Sequence, residues 1–186
     1  MVSQLRIARS QIPGRPSRLR THPLLHTIEG TVQVFTSPHR SFFTNVTVQA
    51  MRTAGQGASV LIAQFLKGGI RQGPDQPMQF GQNLDWMRVD IPRCIQHPDV
   101  SEAERAAIAH LWQHTQDSVM QGRYALVVLD ELSLAIQFGL MAEDAVITLL
   151  QQRPPQVDVI LTGPEMPPAI LAIADQVTEF RRHFLP

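Results

Sequence analysis

The chain has 186 residues, 44 % of them hydrophobic and 17 % charged, with sixteen basic side chains balanced by sixteen acidic ones. It is long enough to bury a core without disulfide or metal staples, and its zero net charge excludes a global field that would draw it to nucleic acid or a membrane surface. A single cysteine, Cys94, excludes an internal disulfide framework and a Cys-based zinc centre, no apolar stretch reaches the roughly 18 residues a bilayer span needs, and the expected setting is cytosolic.

Residues 1–28 stand apart. The first twenty carry Arg6, Arg9, Arg15, Arg18 and Arg20 and no acid. They lack a secretory apolar region, and prolines at 13, 16 and 23 spoil an amphipathic helix. This segment reads as a flexible basic arm, the alternative being an arm that folds over a ligand or a neighbouring subunit. Residues 29–186 read as a single domain.

Within that domain β-rich runs alternate with helical stretches. Thr31 to Thr36 alternates apolar and polar and predicts a strand, and Phe42 to Ala54 predicts a helix closed by Gly55 and Gly57. Ala58 to Phe65 is a nearly continuous apolar run, the pattern of a buried parallel strand. A loop rich in Gly, Pro and Gln is expected over 68–83, then a strand over Leu84 to Val89. Ser101-Glu-Ala-Glu104 is a capping box opening a helix that runs to about Gln121, with Gly122 past its end. Leu126 to Leu129 predicts the most buried strand, with Asp130 and Glu131 at its carboxyl end. Helical segments over 132–138 and 142–151, a strand from Val157 to Thr162, a short helix from Pro167 to Ala174 and a strand from Val177 to Phe180 complete the order. Such alternation predicts an α/β domain with a mainly parallel sheet, helices on both faces, and ligands at the carboxyl ends of the strands.

Two segments fall at those ends: the loop Thr36 to Thr44, and Asp130 with Glu131. A strand, a loop and a helix N-terminus beside acids on a second strand is the layout of a phosphate-loop nucleotide site. The loop's own residues depart from that pattern. There is no glycine from Thr31 to Ala54, Phe42 and Phe43 stand where Lys and Thr are wanted, and Pro38 removes a backbone donor. Asp130 and Glu131 therefore read either as Mg²⁺ ligands or as caps of the following helix. Arg40, Ser41 and Thr44 read either as an anion grip at a helix N-terminus or as part of a loop whose two phenylalanines belong to a core or lid. His110 and His114 share a helix face, without the intervening Glu of a zinc-protease motif, and read as a packed or solvated pair. Ile108, Leu111, Trp112, Thr115 and Val119 form a face for core packing, with a dimer contact as the alternative.

Several segments together resemble a known family. Val34-Phe-Thr36, Gln64-Phe-Leu-Lys-Gly68, Leu111-Trp-Gln-His114, Val127-Val-Leu-Asp-Glu-Leu132, Arg153-Pro154, Ile160-Leu-Thr-Gly163, Ala174-Asp175 and Val177-Thr-Glu179 occur in that order. They are similar to segments of the bacterial phosphate-loop ATP:corrinoid adenosyltransferases, which act on cob(I)alamin or cob(I)yrinic acid a,c-diamide. The resemblance runs from about Val32 to Gly68 and from Leu111 to Glu179. It implies a three-layer phosphate-loop NTPase fold of the RecA-like type, ATP and Mg²⁺ as cofactors, a corrinoid as substrate, and a homodimer without nucleic acid or membrane as partner. By position it implies nucleotide-binding roles for Thr36, Ser37, His39, Arg40, Ser41 and Thr44, and Mg²⁺ roles for Glu131 and Asp130. Along the loop only Thr44 keeps the family's residue, Arg40 keeps the charge of its first lysine, and Phe42 replaces its phosphate-gripping lysine. Pro164 replaces a family arginine, and the family's Phe-x-Trp would fall around Cys94 and Gln96. Two functions follow: corrinoid adenosyl transfer, or a non-catalytic relative kept as a binding or assembly module.

Overall fold

A computed structural model describes residues 29–181; the basic arm expected over 1–28 lies outside the described residues, as do the last five. The elements are β1 (Val32–Ser37), α1 (Thr44–Gly55), β2 (Val60–Gln64), β3 (Met78–Phe80), β4 (Leu84–Arg88), α2 (Glu102–Met120), β5 (Leu126–Asp130), α3 (Leu132–Gln137), α4 (Glu143–Gln152), β6 (Asp158–Pro164), α5 (Pro168–Ile173) and β7 (Gln176–Glu179). They form a seven-stranded sheet in the order β3-β4-β2-β5-β6-β1-β7. Every pairing is parallel except β3 with β4. The α/β class and the mainly parallel sheet are as the strand–helix alternation predicts, and the arrangement is that of a phosphate-loop NTPase-like fold.

The period of two sorts the strands between two cores. Val60 and Ile62 of β2, Leu126 and Val128 of β5 and Ile160 of β6 pack with Val46, Ala50 and Ala54 of α1. Their neighbours Leu61, Ala63, Val127, Leu129, Val159 and Leu161 face the opposite way, against residues of α2, α3, α4 and α5. Continuous apolar runs in β2 and β5 are thus the signature of strands covered on both faces. The face predicted on α2 is core: Ile108, Leu111, Thr115 and Val119 are buried. Trp112 lies edge-on to Phe65 at 5.9 Å.

The capping box of α2 is complete, the Ser101 hydroxyl accepting from the Glu104 N–H at 3.2 Å and the Glu104 carboxylate from the Ser101 N–H at 2.8 Å. The same carboxylate takes a two-point contact from Arg93, Nε at 2.6 Å and Nη2 at 2.9 Å, tying the loop after β4 to the helix. Gly163 in β6 has φ 141°, and a Cβ there would run into Ser133 Oγ, so α3 sits closer to β6 than any side chain would allow. Gly68 is packed as tightly, against the backbone of Ile91 and Arg93.

Two local readings change. The loop expected over 68–83 contains a strand, β3, joined to β4 by Gly81-Gln82-Asn83 with Gly81 at φ 68°. The first helix starts at Thr44 rather than Phe42, because Phe43 holds a non-helical backbone (φ −89°, ψ 73°) at its N-cap. No helix among the described residues is long and apolar enough to cross a membrane.

Candidate functional site

The carboxyl edge of the sheet carries one polar row. Register places Arg88 of β4 beside Gln64 of β2, and Gln64 beside Asp130 of β5. Side chains follow the backbone order. Gln64 Nε2 donates to Asp130 Oδ2 at 2.7 Å, while its Oε1 accepts from Arg88 Nε and Trp86 Nε1, both at 2.9 Å. Asp130 Oδ2 also accepts from Lys67 Nζ at 2.6 Å, and Oδ1 from the Thr162 hydroxyl at 2.9 Å. Thr162 Oγ1 in turn accepts from the Glu131 N–H at 2.9 Å.

That bond helps hold Glu131 in a left-handed backbone (φ 56°, ψ 30°), a conformation that disfavours a residue with a Cβ by about 1 kcal/mol or more and persists only where its surroundings enforce it. Glu131 is the N-cap of α3, yet its side chain makes no capping bond. The capping alternative for the acidic pair is therefore not what is found: Asp130 belongs to the polar row, and Glu131 turns to the loop after β1. There Arg40 Nε donates to Oε1 at 2.5 Å and Nη2 to Oε2 at 2.8 Å, a fork on both carboxylate oxygens. Arg40 Nη1 also donates to the Ile95 carbonyl at 3.0 Å. The Glu131 hydrogen bonds and charge hold the Arg40 guanidinium still further above its usual pKa. The Glu131 side chain is only 5 % exposed, that of Arg40 35 %.

The loop itself closes inward on a carbonyl. The hydroxyls of Ser37 and Ser41 both donate to the His39 carbonyl oxygen, at 2.6 and 3.1 Å. Phosphate-cradling loops aim N–H groups at their ligand, whereas this one gathers hydroxyls around an acceptor. The two phenylalanines part company. Phe43 is buried beside Phe180 (5.8 Å between centroids) in the α1-side core. Phe42 is 58 % exposed and lies under Lys67, whose Nζ is 4.8 Å from the ring centroid. Thr36 is half-buried at the end of β1, Thr44 is the exposed first residue of α1, and His39 is exposed.

Arg40, Ser41, Phe42, Lys67, Arg88, Cys94, Gln96, His97 and Glu131 line a cavity of about 540 Å³ with a mostly apolar wall. The structure thus gathers Arg40, Ser41 and Glu131 around one space, with Asp130 behind Lys67. Gln64, Lys67, Arg88 and Thr162 were not singled out from sequence as site residues. The clearest signal is Gln64, a polar side chain ending the apolar run Val60 to Ala63, while Arg88 and Thr162 stand near the carboxyl ends of their own strands. Mg²⁺ fits this arrangement poorly, since both Glu131 oxygens are taken by Arg40 and both Asp130 oxygens accept from Gln64, Lys67 or Thr162. His114 is partly buried, which lowers its pKa. No group of three metal-ligating residues occurs among the described residues.

Comparison with known proteins completes the description. A family model described as ATP:corrinoid adenosyltransferase BtuR/CobO/CobP matches residues 29–184. The corrinoid adenosyltransferase of Escherichia coli K12 is 29 % identical over 153 residues, 82 % of this chain and 76 % of that one. The corrinoid adenosyltransferase CobA of Salmonella typhimurium LT2 is 31 % identical over the same share of each chain.

Proposed function

Because the chain belongs to the ATP:corrinoid adenosyltransferase family, we propose that it is a member which no longer runs MgATP-dependent adenosyl transfer and acts as a binding or assembly module built on the family's scaffold. The observation that carries this reading is the Arg40 fork on Glu131. Adenosyl transfer from ATP needs a triphosphate held firmly while its 5′ carbon meets reduced cobalt, so positioning and charge stabilisation do most of the work. Here the loop's own cation and the lysine over Phe42 are each already matched by a partner. Arg40 is matched by Glu131 and Lys67 by Asp130, and Phe42 stands where a lysine would grip phosphate. A triphosphate would have to break the Arg40 pair and leave a buried carboxylate beside its own negative charge, over a loop whose Ser37 and Ser41 hydroxyls are both turned to the His39 carbonyl.

A second reading, residual adenosyl transfer, is favoured by Thr44, Asp130 and Glu131 standing at the family's positions. In it Glu131 and Asp130 would be the residues to hold Mg²⁺, and Arg40 would be the cation left for phosphate. As the family resemblance implies, we also propose that the chain forms a homodimer.

Calorimetric titration with MgATP separates the two. No Mg²⁺-dependent heat up to millimolar ATP is expected, with a thermal-shift control showing folded protein. Micromolar binding that needs Mg²⁺ and disappears in Glu131→Ala would overturn the proposal, and a cob(I)alamin adenosylation assay would then measure the activity.

A further inference from the structure

One cation in the cavity is left over. Arg40 is matched by Glu131 and Lys67 by Asp130, but Arg88 has no carboxylate partner among the described residues. Its Nε is committed to Gln64 Oε1, the atom that also holds the Trp86 indole. No bond from either Nη nitrogen to a described residue is found, and the side chain lines the cavity. A guanidinium fixed by Nε keeps the end-on pair of its donors, a geometry that matches the two oxygens of a carboxylate or the edge of a phosphate. In the same cavity the Phe42 ring is 58 % exposed in a mostly apolar wall, the kind of surface that gains by being covered.

We propose that this cavity is a binding site for a small organic monoanion: an oxyanion, carboxylate by preference, held end-on by Arg88, on an apolar or aromatic body that lies against Phe42. The reasoning is one of charge and shape. Two cancelled ion pairs and one free guanidinium leave room for a single negative charge, which a polyanion exceeds. About 540 Å³ accommodates a body of one or two rings. The inference deepens the binding-module reading and rests on it only in that Arg40 and Lys67 stay with their own carboxylates. It also moves the anion contact away from Arg40, where the loop alone would put it.

The test uses benzoate as the probe and the Trp86 indole N–H as reporter, because Trp86 and Arg88 share one acceptor atom. In the full chain labelled with ¹⁵N-tryptophan, the Trp86 resonance (distinguished from that of Trp112 by Trp112→Phe) should move saturably with benzoate. Neutral benzamide should leave it in place, and inorganic phosphate should move it only at higher concentration. Arg88→Met should weaken benzoate by about tenfold or more, and Arg88→Lys should recover only part of the loss. Thermal unfolding checks that each variant is folded, and Arg88→Gln serves if Arg88→Met is not. An unmoved resonance, equal response to benzamide, tighter binding of phosphate than benzoate, or unchanged affinity in the folded Arg88 variants would each overturn the site. Titrating the same wild-type sample with MgATP keeps the two readings apart. Mg²⁺-dependent ATP binding would sink the closed-loop reading, while the benzoate result alone decides this one.

Discussion

Arg40 and Glu131, 91 residues apart in the chain, meet through two hydrogen bonds at 2.5 and 2.8 Å in the wall of the cavity. Their burial is unequal, at 35 % exposure for the Arg40 side chain and 5 % for that of Glu131. Removing either partner therefore has different consequences. Arg40→Ala strands a buried carboxylate and is expected to cost about 2–3 kcal/mol, the solvent around Arg40 keeping it below the cost of a fully buried pair. Glu131→Ala leaves a guanidinium that water can reach, and is expected to cost about 1 kcal/mol. In urea unfolding, the double variant should be nearly as stable as Glu131→Ala alone. Equal single costs that simply add would mean that the pair holds nothing together.

Phe42 and Phe43 are adjacent in sequence and opposite in consequence. Phe43→Ala empties a buried position against Phe180 and is expected to cost about 3–4 kcal/mol. Phe42→Ala removes an exposed ring and one cation–π contact, for about 0.5 kcal/mol. Denaturant midpoints measure both. A similar loss for the two would mean that Phe42 packs against something the described residues do not include. Phe43→Thr, which would restore a family-like hydroxyl, is expected to destabilise for the same reason as Phe43→Ala.

Glu104 connects helix α2 to the loop that borders the cavity, and it makes stability sensitive to acid. The two-point contact from Arg93, and next the Ser101 N–H, lower its pKa from 4.5 to about 2. A carboxyl group more acidic in the folded chain than in the unfolded one stabilises the fold wherever it is ionised. That contribution is complete above the ordinary carboxylate range and is lost as pH falls from about 4.5 towards 2. Glu104→Gln should be less stable than the wild type at neutral pH, with the difference shrinking through that window. A constant difference between the two across the acid range would contradict this account.

Much of the architecture was legible because it is written in local pattern. The apolar runs of β2 and β5, the capping box at Ser101 and the glycine after α2 each specify structure within a few residues. Strand β3 was missed because Met78-Gln-Phe80 is too short to show alternation. The one available sign was a three-residue connection with glycine, Gly81-Gln82-Asn83, which is a hairpin signal. The family's QFxKG and VVLDEL segments also acquire physical reasons. Gln64 and Lys67 both donate to Asp130, Phe65 packs on Trp112, and Gly68 has backbone where a side chain would go.

The site was legible only as a list of candidates. Arg40, Asp130 and Glu131 could be named from sequence, but Arg40 read as a charge available to phosphate, and the acids as metal ligands or caps. A charge count cannot show otherwise, since pairing is a property of space. Arg40 reaches Glu131 across 91 residues and Lys67 reaches Asp130 across 63. Arg88, one arginine among fifteen, becomes distinctive only because register sets it beside Gln64 and no carboxylate follows.

By itself, then, the sequence determined the α/β class, the two-faced burial of its strands and the family, because hydrophobic periodicity and short motifs act over a few residues. Only the tertiary structure decided which charges cancel and which guanidinium is left facing the cavity, because those energies depend on distance and burial between residues that the chain itself keeps far apart.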